Sequence, residues 1–197
     1  MTRKVGYGLV AAFIGLLAFE YVTAIGPAAH RDQLSACVEL QPTPSTSALG
    51  RLPKPAPDIA AQTVDGKTVS LSQFRGRVVF LNFWAPWCPP CLDEMPAMDA
   101  LQRKTSATIL PLATGTTWAN VSAKLRELLP GGTTMTLLLD TSTGEGQVGS
   151  VPARFGTDKL PETYLVDKQG VVRYYFVNKR DWTDRRAVDC LNALVAE

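Results

Sequence analysis

The run Val78-Val79-Phe80-Leu81-Asn82-Phe83 leads straight into Trp84-Ala85-Pro86-Trp87-Cys88-Pro89-Pro90-Cys91. A nearly continuous apolar run of this length is what a strand covered on both faces requires, and such strands belong to α/β sheets with helices on either side. Pro90 suits the first turn of a helix, so a strand, a tight turn and a helix follow one another within a few residues. The Cys-x-x-Cys is thereby placed at a strand–helix junction. The first sulfur would lie at a helix N-terminus, where unpaired N–H groups and the helix dipole favour an anion, and hence the thiolate, the nucleophilic form. The second lies one turn further on, within reach of an intrachain disulfide. Two plainer readings compete with a redox dithiol: a structural disulfide and half of a zinc site. Zinc would want two more Cys or His ligands at suitable spacing, and Cys37, Cys190 and His30 form no second paired motif.

The flanking sequence alternates strand-like and helix-like segments. Ile59–Thr63 and Thr68–Ser70 enclose Asp65-Gly66, a hairpin signal. Leu71–Phe74 reads as a short helical turn. After the cysteines a helix is expected from about Pro90, with Met95, Met98 and Leu101 continuing it and Pro96 kinking it. Thr108–Ala113 and Thr134–Leu139 read as buried strands, with an amphipathic helix over Trp118–Leu129 between them. A Gly-rich segment and a short helix precede two strands, Thr163–Asp167 and Val171–Val177, around Lys168-Gln169-Gly170. A last helix over about Thr183–Ala196 places Ala187, Val188, Leu191, Leu194 and Val195 at helical spacing. Strand–helix alternation with a closing antiparallel hairpin implies a mixed α/β sheet.

The chain's 197 residues, 46% hydrophobic, suit one globular domain with extra segments. A net charge of +2 gives no sign of a nucleic-acid surface, and a single histidine argues against a His-rich metal site. No metal and no cofactor are expected. The N-terminus, Met1-Thr2-Arg3-Lys4 followed by apolar residues from Val5 to Phe19, reads as a signal peptide or as a membrane anchor over residues 1–25, with Arg3 and Lys4 on the cytoplasmic side. An uncleaved anchor is favoured, because Pro27 would follow the nearest cleavage-like site. Either outcome puts the rest of the chain outside the cytoplasm, in a periplasmic-type space where disulfides persist. Residues 26–56, with Gln41-Pro42-Thr43-Pro44-Ser45-Thr46-Ser47, read as an extended or disordered linker, and residues 57–197 as the folded domain.

Three separated motifs carry a family resemblance. Phe80–Cys91 resembles the active-site region of thioredoxin-fold proteins. Its extension through Leu92-Asp93-Glu94-Met95-Pro96 resembles the TlpA/ResA branch of thiol–disulfide oxidoreductases. Ala56-Pro57-Asp58 and Asp65–Gly76 resemble that branch's N-terminal hairpin, and Leu160-Pro161-Glu162-Thr163-Tyr164-Leu165-Val166-Asp167 its cis-proline segment. The resemblance implies a thioredoxin fold: a central mixed sheet flanked by helices with an N-terminal β-hairpin extension, here behind a membrane segment.

The resemblance also implies roles. Cys88 would attack a substrate disulfide and Cys91 would resolve the mixed disulfide. Glu94, three residues beyond Cys91 on the same helical face, would exchange protons with it. Pro161 would be cis and lie against the dithiol, and the backbone of Leu160 would pair with an extended substrate segment. Trp84 and Trp87 would pack the junction and offer a partner an apolar platform. Asn82 stands where cytoplasmic thioredoxins usually carry a buried aspartate, which moves acid–base work towards Glu94. A disulfide between Cys37 and Cys190 is expected; Leu34-Ser35-Ala36-Cys37 also matches a lipobox, although His30–Gln33 separate it from the apolar run. The implied partners are disulfide-containing client proteins, of the cytochrome c maturation or copper-site assembly type, and a membrane thiol electron donor.

Two rival activities are open to such a chain. A thiol peroxidase would want Thr or Ser three residues before the reactive cysteine, where this chain has Ala85. A copper chaperone would want Cys-x-x-x-Cys and a distal His, whereas the spacing here is Cys-x-x-Cys and the sole histidine precedes the domain.

Overall fold

The apolar run before the cysteines becomes the central strand of one mixed sheet. The computed structural model describes residues 12–16, 34–41, 49–142, 144 and 146–197. Among these, strands β1 (Lys54–Pro55), β2 (Ala60–Gln62), β3 (Thr68–Ser70), β4 (Val79–Trp84), β5 (Thr108–Ala113), β6 (Leu138–Leu139), β7 (Glu162–Val166) and β8 (Val171–Val177) form a sheet in the order β1-β8-β7-β4-β5-β6-β2-β3. All six β4 residues are buried. β4 pairs in parallel with β5 and antiparallel with β7, so its backbone is satisfied on both edges. The helices are α1 (Pro89–Gln102), α2 (Trp118–Leu128), α3 (Ser150–Phe155) and α4 (Arg185–Ala196).

Alternation along β4 splits the core in two. Phe80 and Trp84 point to the face covered by α1, α2 and α4, with Met95, Met98, Val121, Leu125, Leu191 and Leu194. Val79, Leu81 and Phe83 point to the other face, under the β2–β3 hairpin and α3, with Leu71, Phe155, Tyr164 and Tyr175. The central sheet, flanking helices and N-terminal hairpin expected from the sequence are all present.

Three segments differ from their sequence reading. The strand expected over Thr134–Leu139 reduces to Leu138–Leu139, which bridges β5 and β2. Upstream of it Thr133 Oγ1 accepts from the Met135 amide, and only the single bond Thr136 N–H to Ile109 O reaches β5. A side-chain bond to the local backbone competes there with the ladder. The last helix begins at Arg185 rather than Thr183, because the Asp184 carboxylate accepts from the Arg186 amide and caps it. The stretch 26–56 contains structure that belongs to the domain: residues 34–39 are helical, Ala36, Cys37 and Leu40 are buried in the core, and β1 pairs with β8. Residues 42–48, which hold most of the Pro/Ser/Thr run, lie outside the described residues. So does the expected membrane segment apart from 12–16, which are helical and exposed. Among the described residues no helix is long and apolar enough to cross a membrane.

Candidate active site

β4 ends at Trp84, and two residues of turn and Trp87 deliver the chain to Cys88, the N-cap of α1. Cys88 and Cys91 are disulfide-bonded, with 5.3 Å between their Cα atoms. Cys88 is 4% exposed and Cys91 1%. The helix start differs from the simple picture of a thiolate facing free amides. Pro89 and Pro90 occupy the first two helical positions and carry no N–H. The first amide, that of Cys91, donates to Cys88 O at 3.0 Å, and that of Leu92 to the same oxygen at 3.2 Å. The sulfur of Cys88 thus keeps the dipole of α1 but not a ring of unspent backbone donors.

Glu94 lies one turn beyond Cys91 and is 2% exposed. Its Oε1 accepts from the Arg180 amide, and its Oε2 has no partner. Burial pushes its carboxyl up to about 7, against the opposing pull of the Arg180 amide, the Trp182 indole, and the charges of Arg180 and Lys179. A carboxyl protonated more readily in the folded chain than in the unfolded one costs no stability below the unfolded value, near 4.5. The cost grows as pH rises towards the folded value and saturates above it. For these two values it reaches about 3 kcal/mol. Urea unfolding at pH 5 and pH 8 is therefore expected to show the wild type losing stability across that interval, with the loss largely removed in Glu94→Gln. Equal losses in the two proteins would contradict the assignment.

Asn82 is fully buried in β4. Its Nδ2 donates to Thr163 Oγ1 at 3.0 Å on β7, and its Oδ1 is unpartnered. Leu160 and Pro161 immediately precede β7, and the peptide bond joining them is cis. Since β4 and β7 pair from Val79 with Val166 to Phe83 with Glu162, this peptide arrives at the same sheet end as the dithiol. Glu162 points to the opposite sheet face. There Thr157 Oγ1 donates to its Oε2 at 2.5 Å and Tyr164 OH to the same oxygen at 3.2 Å, and burial raises its carboxyl.

Among the described residues, Trp87 is the one large aromatic left exposed beside the dithiol, at 44%. Its Nε1–H donates to Gly115 O at 2.9 Å. Gly115 has φ +59, and a Cβ there would come within 2.1 Å of Gln147 O, so only glycine lets this carbonyl meet the indole. Pro86 and Trp87 form one end of a groove of about 370 Å³ whose far wall is α2, with Asn120, Ala123, Lys124 and Glu127. Cys37 and Cys190 are bonded to each other and buried, remote in sequence from the Cys-x-x-Cys. Among the described residues no group of three or more His, Cys, Asp or Glu could hold a metal ion. The sequence reading did not single out Lys179, Arg180 and Trp182, which meet α1 at Asp93 and Glu94, nor Asn178, which turns the chain towards them. A basic pair between the last strand and the last helix was the available signal.

The sequence model of the redoxin family matches residues 52–191. The chain belongs to the redoxin family. This redoxin is 33% identical over 120 residues to the thioredoxin-like protein YneN of Bacillus subtilis, covering 60% of this chain and 66% of that one. It is 36% identical over 121 residues to the thiol-disulfide oxidoreductase ResA of Geobacillus thermodenitrificans, covering 60% and 64%. The matches thus span slightly less than two thirds of these relatives' own length. Among solved structures, a thiol:disulfide interchange protein of the thioredoxin family from Chlorobium tepidum shares 25% identity at a TM-score of 0.59, over 74% of this chain and 98% of that one. The MTB dsbF structure, in mixed oxidized and reduced forms, shares 27% at 0.55, over 69% and 94%. The fold is thioredoxin-like.

Proposed function

We propose that this redoxin is an extracytoplasmic thiol–disulfide oxidoreductase that reduces disulfides of specific client proteins. The observation that carries the reading is the Cys88–Cys91 disulfide at the N-terminus of α1, one turn from a buried carboxyl with an unpaired oxygen. In the reduced enzyme the Cys88 thiolate attacks one client sulfur. A Cys88–client disulfide forms, the client S–S bond breaks, and the second client sulfur leaves as a thiolate that takes up a proton. The Glu94 carboxylate accepts the Cys91 proton, and Cys91 attacks Cys88 Sγ. The mixed disulfide breaks, the client leaves with both sulfurs reduced, and two electrons have passed from the enzyme dithiol. A membrane thiol donor would restore the dithiol by the same exchange in reverse. Trp87, Leu160 and Pro161 would receive the client chain beside the sulfurs, with no metal or cofactor taking part.

Residues 1–25 would anchor the chain and 57–197 carry the chemistry, with 26–56 joining the two and lending the helix at 34–39 and β1 to the domain. A buried second disulfide, Cys37–Cys190, supports placement in an oxidising compartment. The resemblance to the TlpA/ResA branch favours clients of the cytochrome c maturation or copper-site assembly type. Expressed in full length with its membrane, Cys91→Ser is expected to accumulate a covalent mixed disulfide through Cys88, resolved by non-reducing electrophoresis and released by dithiothreitol. The wild type should turn over hydrogen peroxide negligibly. No trapped species would refute a dedicated reductase, and rapid peroxide consumption dependent on Cys88 would refute the reading in favour of a peroxidase.

A further inference from the structure

We propose that residues 178–182, the segment between β8 and α4, position Glu94 and set the protonation state in which it meets Cys91, with Arg180 as the positioning residue. The inference rests on Glu94 being the proton partner of Cys91. One turn and three tethers build the device. Asn178 has φ +62, a left-handed conformation that asparagine tolerates better than most residues, and it turns the chain out of β8. Lys179 Nζ then bonds Asp93 Oδ2 at 2.7 Å, tying the segment to α1 at the residue beside Glu94. The Arg180 amide donates to Glu94 Oε1. Trp182, 2% exposed, anchors the far end edge-on to Phe80 and Phe176, with ring centroids 4.7 and 5.4 Å away.

Three buried polar atoms in this contact have no hydrogen-bond partner: Glu94 Oε2, Arg180 Nε and Trp182 Nε1. The Trp182 indole nevertheless lies close enough to pull on the Glu94 carboxyl, so the two meet without a well-formed bond. Neutral Glu94 needs neither the indole nor the Arg180 charge; ionised Glu94 gains from both, since interactions with an ionised acceptor are the stronger kind. The charged side chains facing Glu94 are Arg180 and Lys179. On its own helix Asp93 is turned to Lys179, and Cys91 is the sulfur it serves. Burial disfavours the carboxylate and Arg180 favours it. Their balance leaves the group able to take the Cys91 proton, forming the Glu94 O–H bond as the S–H bond breaks.

The test follows the two steps of disulfide exchange separately. The reduced protein, mixed with 5,5′-dithiobis(2-nitrobenzoate), releases one thionitrobenzoate when Cys88 attacks and a second when Cys91 resolves the adduct. The second phase is followed from pH 5 to 9. Wild type is expected to show a step near the Glu94 value of about 7. Arg180→Gln should move that step up by about half a unit to one unit, Lys179→Gln by less, and Arg180→Lys should restore the wild-type midpoint. Glu94→Gln should abolish the step. A step that survives in Glu94→Gln would overturn the proton-partner reading itself. A step that vanishes in Glu94→Gln but stays at the wild-type midpoint in Arg180→Gln would overturn the positioning role alone.

Discussion

Cys88→Ser is expected to lower the catalysed reduction of insulin disulfides, with dithiothreitol as reductant, by at least about a thousandfold. All four cysteines of the chain are bonded in pairs, and none is free. The second pair, Cys37–Cys190, is buried and cannot substitute. Cys91 remains in the variant, but it is 1% exposed against 4% for Cys88, which stands at the N-cap where α1 begins. An attacking sulfur needs access to the disulfide it breaks, and the sulfur at the helix end has more of it. A residual rate within tenfold of wild type would show that Cys88 is not the attacking sulfur. Glu94→Gln should act differently, slowing resolution while leaving the first attack intact.

The prolines sharpen this asymmetry. Because Pro89 and Pro90 remove two amide donors and Cys88 O engages the next two, little backbone is left to stabilise negative charge on sulfur. The burden of proton management moves to a side chain, and Glu94 is the buried titratable group one turn away. That substitution of a carboxyl for backbone donors was half legible. The Cys-x-x-Cys, the two prolines and the Cys91-to-Glu94 spacing stand in the sequence. The depth of Glu94 depends on Arg180 and Trp182, more than eighty residues away, and no local pattern reports it.

The same division runs through the fold. β4, β5 and β8 were readable because their apolar runs are long and each pairs over several residues, so local pattern and tertiary demand agree. β6 was overread because Met135 and Leu137–Leu139 are apolar for burial, not for ladder bonding; only two residues enter the sheet. β1 was missed because Lys54 and Pro55 are exposed edge residues, held by pairing with Val171 and Val172 rather than by a hydrophobic face. The helix at 34–39 was read as linker because six residues between polar stretches carry almost no helical signal. Its existence is a tertiary fact, imposed by a covalent bond to α4.

That bond sets the second large effect, a stability loss of about 3–5 kcal/mol when Cys37 and Cys190 are both replaced by alanine. The bridge spans 153 residues, so in the chain-entropy account it removes about 5 kcal/mol of disorder from the unfolded ensemble. A helix this short does not hold itself. Without the sulfurs the segment keeps the packing of Ala36 and Leu40, the bond from Gln41 Nε2 to Tyr175 O at 2.8 Å, and an exposed Arg186–Glu39 pair at 3.7 Å. Neither polar contact compensates: the ion pair is surface-exposed and worth well under 1 kcal/mol. Urea unfolding of the double alanine variant should show the loss as a lower midpoint, with a Tm about 10 °C below wild type. Thionitrobenzoate release by Cys88 in the folded variant should be unchanged, because the helix at 34–39 contributes no group to the dithiol. A loss below 1 kcal/mol would mean that the segment already stays ordered in the unfolded reference or that its packing alone holds it. A variant that folded normally but lost the Cys88 reaction would instead tie the second disulfide to the chemistry of the first.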